Sequence, residues 1–172
     1  MNSAPHLDQK HLRRASLLTG LEVSDGEQSH GQVVGLVYDT ARLLFGVLLQ
    51  REGLTGLTVL PIRNLDWRDR EVLHVKGWAR PQAMTEVHRP VTGLPVKVAR
   101  VRGMAFVHDL FIDPASSRVA SFQLAALPEA QQDAHTVCVP GEEVERRAGK
   151  LVVAPQVLIR LTSALHTPRA VA

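Results

Sequence analysis

Cysteine is nearly missing from this chain of 172 residues: Cys138 stands alone, so no internal disulfide can form. Aromatic residues make up only 4% of the chain, which leaves the core to Val, Leu and Ala. No uncharged apolar run reaches the ~18 residues a membrane helix needs. The opening MNSAPHLDQKHLRRASLL lacks the apolar centre of a signal peptide. These gaps lead to the expectation of a cytoplasmic protein without a transmembrane segment. An excess of one charge is lacking too, despite a net charge of +3. Residues 12–80 hold nine Lys/Arg against eight Asp/Glu, and residues 81–155 hold eight against eight. A duplex-binding face needs a local surplus of cations, so no DNA partner is expected.

Catalytic motifs are also scarce. GVLLQREGLTG lacks the Lys-Ser/Thr ending of a phosphate loop, and no Gly-x-Ser-x-Gly elbow occurs. Cys138, in TVCVP, reads as a small buried hydrophobe rather than a nucleophile, because no cation neighbours it in sequence. Eight histidines are present, but none forms a His-x₃-His or His-Glu-x-x-His pair. The expectation is no catalytic residue, no metal site and no cofactor.

What the chain does have is a repeat. Thr19-Gly20-Leu21-Glu22-Val23 returns 73 residues later as Thr92-Gly93-Leu94-Pro95-Val96. Val33 to Asp39 returns after 74 as Val107 to Asp113, and Leu44 to Leu49 after 75 as Val119 to Leu124. Pro61 with Leu65 returns after 79 as Pro140 with Val144. The spacing lengthens only at turns, as expected when loops grow and strands do not. Each copy is a series of short Val/Leu/Ile runs broken by Gly, Pro, Asp and Ser, which reads as strand. The expected fold is all-β: two tandem small β-barrels over residues 12–80 and 83–155, with a tail over 156–172. Closure would remove the sheet edges. Gly77 to Pro90 reads as the linker. Leu158, Leu161 and Leu165 give the tail a helical spacing.

The pattern Gly31-x-Val33 to Asp39, then Gly46, then Pro61-x-x-x-Leu65 resembles the PRC-barrel family. So does its second writing at Ala105-x-Val107, Asp113, Ser121 and Pro140-x-x-x-Val144. The entry Leu12 to Val23 is similar to that family's usual opening. The resemblance covers nearly all of residues 12–155. It implies small barrels that serve mostly as protein-binding modules. They are related to the reaction-centre H subunit's cytoplasmic domain and to the C-terminal half of the ribosome-maturation factor RimM.

Several residues stand out, each with a structural reading beside the functional one. Asp39, Asp113 and Pro114 read as turn formers, and Pro61 and Pro140 as strand ends. Strand alternation places His108 on the face of Leu110 and Ile112, with Asp109 opposite. His108 is then a barrel-lining or interface histidine, with a ligand role as the other reading. Val96 to Gly103 reads as one strand with its cations split between faces. The loops Arg51 to Gly56 and Leu127 to His135 differ most between copies. Arg51, Glu52, Glu129, Gln131, Gln132 and His135, with His108, are therefore the expected contact residues. The function expected is non-catalytic: a protein-protein interaction or assembly module, with homodimerisation plausible. A ribosome- or RNA-associated factor is the alternative, and a histidine-based metal- or ligand-binding protein the third.

Overall fold

Short runs of branched residues, punctuated by Gly, Pro and Asp, favour extended backbone throughout. The computed structural model describes residues 11–128 and 136–166. The first half contains β1 (Arg13–Arg14), β2 (Glu22–Ser24), β3 (Ser29–Asp39), β4 (Leu44–Gln50), β5 (Leu57–Pro61), β6 (Leu65–Asp66) and β7 (Val72–Val75). The connecting stretch adds β8 (Gln82–Ala83) and β9 (His88–Pro90). The second half contains β10 (Pro95–Val98), β11 (Met104–Asp113), β12 (Arg118–Ala125), β13 (Thr136–Pro140), β14 (Glu145–Arg147) and β15 (Lys150–Val153). The helix α1 (Gln156–His166) follows. The chain is all-β, with two sheets forming two barrel-like units.

The two sheets share one topology. Strand order is β6-β7-β2-β3-β4-β5 in the first and β14-β15-β10-β11-β12-β13 in the second. In each, one pair is parallel, β2 with β7 and β10 with β15. Each long hairpin carries a register shift at the corresponding place, Val33/Gly35 and Val107/Asp109. Leu43 and Ser117, at corresponding turn positions, both adopt left-handed backbone with φ of 57° and 55°. Non-glycine residues seldom do so, which makes the coincidence informative. Asp39 caps its turn by accepting from the amides of Ala41 and Arg42, both at 2.9 Å. Asp113 accepts from Ala115 at 3.0 Å and Ser116 at 3.2 Å, on the turn that Pro114 opens. Pro61 and Pro140 each end a strand and lead into one 3₁₀ turn.

The modules exchange their entry segments. β1, which leads into the first module, pairs with β11 of the second, Arg13 opposite Ile112. β9, which leads into the second, pairs with β3 of the first, Tyr38 opposite Arg89. Gly77 to Pro90, expected as a linker, is therefore a strap bound to the first sheet through β8 and β9. Strand pairing thus runs across the boundaries expected at residues 80 and 83. Ala15, Val33, Tyr38, Phe45 and Leu60 share one continuous apolar cluster with Val96, Leu110, Phe122 and Leu151. Phe45 meets Phe122 across the modules edge-on, ring centroids 5.6 Å apart.

Hydrogen bonding among the described residues leaves both strand paths open-ended. β8 covers the outer edge of β5, whereas α1 lies beside β13 with Val157 and Leu161 buried. Arg160 of α1 donates to the Cys138 carbonyl at 2.7 Å. Cys138 corrects its expected burial: alternation turns Val137 and Val139 inward and leaves Cys138 on the partly exposed face. The expected strand Val96 to Gly103 stops at Val98, and Arg100 takes a left-handed turn conformation.

Candidate functional site

Lys76 to Arg80 is a short turn between β7 and β8, fixed at both ends. The Lys76 amide donates to the Asn64 carbonyl at 2.7 Å, and its ammonium donates to Ser117 Oγ of the other module at 2.6 Å. Arg80 forms an ion pair with Asp25 at 3.1 Å. Asp25 is itself held by the amides of Gln28 and Glu27, at 2.9 and 3.0 Å, and by His30 Nε2 at 3.0 Å. Those amide donors keep its carboxyl well below the usual Asp value, so the anion facing Arg80 persists. Gly77, with φ +59°, supplies the left-handed residue that the turn needs. Ala79 packs against the core.

Trp78 sits at the tip and is 92% exposed, the most exposed of the large apolar side chains described. Leaving an indole in water forgoes about 2 kcal/mol or more of burial. The anchored flanks hold the turn, so the indole stands at the surface on a fixed backbone. Sequence reading missed it, because a tryptophan in GWARP carries no periodic signal. Its only cue was its place between Gly77 and two prolines.

The expected contact residues fall in separate places. Arg51 and Glu52 line an open groove of about 1070 Å³ with Glu22, Gln32, Val34 and the exposed Leu54. His108 occupies the bulge in β11 that corresponds to Val34 in β3. Asp109 stays on the face opposite Leu110, paired with Gln123, and is only 5% exposed because the entry segment covers that face. Glu129, Gln131, Gln132 and His135 lie outside the described residues.

Asp109 is the buried charge among the described residues of the second half. Arg14 Nε of β1 donates to it at 2.6 Å, Ser16 Oγ at 2.6 Å, and the amides of Ser16 and Leu110 at 3.1 and 2.8 Å. Every donor but one comes from the exchanged entry segment. This arrangement is a lock: all carboxylate oxygens are engaged, and none is directed at a substrate.

One other cluster bears on chemistry. His88 Nδ1 accepts from the Thr85 amide at 3.0 Å, which places the proton on Nε2, 3.7 Å from Asp39. That proton points to the turn-capping carboxylate, so the trio fastens β9 to the Asp39 turn. Elsewhere, among the described residues, no three His, Cys, Asp or Glu side chains gather as a metal-ligand set. No described helix is long and apolar enough to cross a membrane. The sequence matches no protein-family model and has no significant match among curated proteins.

Proposed function

We propose that the chain is a non-catalytic, tandem PRC-like protein-binding module that grips a protein partner through Trp78. One observation carries this reading: a tryptophan left almost wholly in solvent on a turn tied down at both ends. Interface hot spots are enriched in tryptophan, and a pre-set anchor loses little conformational entropy on binding. The matching order of the two sheets, with paired turn aspartates and strand-ending prolines, supports the PRC-like assignment. A cytoplasmic setting accords with the single cysteine.

Affinity capture from native extract, with wild type and Trp78→Ala side by side, tests the proposal. The expected result is a protein partner that survives nuclease treatment and is lost with the variant, while thermal stability changes by less than about 0.5 kcal/mol. Equal capture by both proteins refutes it. Capture that disappears with nuclease transfers the reading to the ribosome- or RNA-associated alternative. Sedimentation of both proteins shows whether the partner is a second copy of this chain.

A further inference from the structure

We infer that the seam between the modules is a phosphate-binding site, where Arg63, Arg118 and Arg146 close on one phosphate group of an organic ligand. The inference is independent of the Trp78 reading. The start of β4 and the turn after β5 on one side, and the β11–β12 turn with β14 on the other, line a cleft of about 500 Å³. Its apolar wall includes Phe45 and Ile62, and its charged wall is these three arginines. No carboxylate lines it.

The donors available there are guanidinium N–H groups. Ser117 Oγ donates to the Leu65 carbonyl and accepts from Lys76, and Ser116 Oγ donates to Asp113. Asp113 is taken up by its own turn. Glu145 pairs with Arg147 at 2.6 Å, and neither Glu142 nor Glu143 pairs with a cleft arginine. Arg146 lies over the Phe45 ring, 5.2 Å from its centroid, and donates to the Leu43 carbonyl at 3.4 Å. That cover partly desolvates the guanidinium and lowers its pKa, with no carboxylate acting in the other direction.

The module fold does not require these cations. Their counterparts in the other copy are Glu142 for Arg63, Trp67 for Arg146 and, by hairpin register, Leu44 opposite Asp39 for Arg118 opposite Asp113. Three like charges around one cleft repel one another until an anion arrives. A phosphate group carries close to two negative charges and three acceptor oxygens, enough for several guanidinium forks, whereas a carboxylate satisfies one. Phe45 and Ile62 give the carbon portion of such a ligand an apolar rest.

Titration of the full chain with sodium pyrophosphate, against chloride of equal ionic strength, tests this. Arg63 and Arg118 are exposed, so the Arg63→Ala/Arg118→Ala variant should keep the wild-type melting temperature. Binding to wild type is expected, with affinity about tenfold or more weaker in the variant. Nε–H resonances of arginine should shift in wild type on saturation. No binding beyond chloride overturns the inference, as does equal affinity in the variant. A tri-glutamate peptide bound as tightly as pyrophosphate would also overturn it, because it assigns the cleft to carboxylates.

Discussion

Asp109 shows most plainly what one side chain does here. Its carboxylate is 5% exposed and takes Arg14 and Ser16 from the exchanged segment. Removing it strands a guanidinium and a hydroxyl whose donors have no other arrangement as good. Asp109→Ala should therefore cost about 2–4 kcal/mol in urea unfolding. A loss below ~0.5 kcal/mol, the surface-substitution range, would mean that the lock is ornamental. Alternation along β11 could not reveal its burial, since the Arg14 and Ser16 that cover it come from a segment some 95 residues away. The turn aspartates Asp39 and Asp113 were legible because an Asx turn needs nothing beyond its own neighbours. Trp78 was not, because exposure is a property of what fails to pack against a residue.

Among elements, the long hairpins were readable and the short pairings were not. β3, β4, β11 and β12 carry seven to eleven residues with apolar repetition, enough to show that they exist but not the bulges that shift their register. β1 and β9 have two and three residues. No alternation exists at that length, so the exchange of entry segments came only from the structure. The close contact at the 3₁₀ turn after β13 is similarly invisible in sequence. At Gly141 a Cβ would stand 2.4 Å from the Val119 carbonyl oxygen and 3.2 Å from that of Ala120. Both are backbone atoms, so the strand itself would have to shift. Gly141→Ala should destabilise by about 2–3 kcal/mol, read as a lower urea midpoint at unchanged slope. An unaltered midpoint would show that the turn adjusts at little cost.

At the scale of the whole molecule, surface carboxylates set the acid limit. Arg68 holds the Asp66 pKa at about 2, against an ordinary 3.8. Backbone amides lower Asp25, and Ser116 with the Ala115 amide lowers Asp113. A depressed carboxylate contributes stability that is complete above its unfolded pKa and is lost as pH falls through the folded one. Melting temperature should stay level from pH 6 to about 4.5 and then fall towards pH 2. Asp66→Asn should flatten that fall, and an unchanged acid limb would remove Asp66 from the account.

An all-β fold built from two matched sheets could be read from spacing alone, since matched strands keep their intervals. That the copies are not independent beads could not, because it depends on two short straps and a shared core. Chemical denaturation followed by two reporters tests that claim most directly. Both tryptophans, Trp67 and Trp78, belong to the first half, and the single thiol, Cys138, belongs to the second. Tryptophan fluorescence and thiol labelling should give coincident midpoints and slopes, as one cooperative unit requires. Two separated transitions would contradict the account, because modules joined through exchanged strands and one core cannot unfold one at a time.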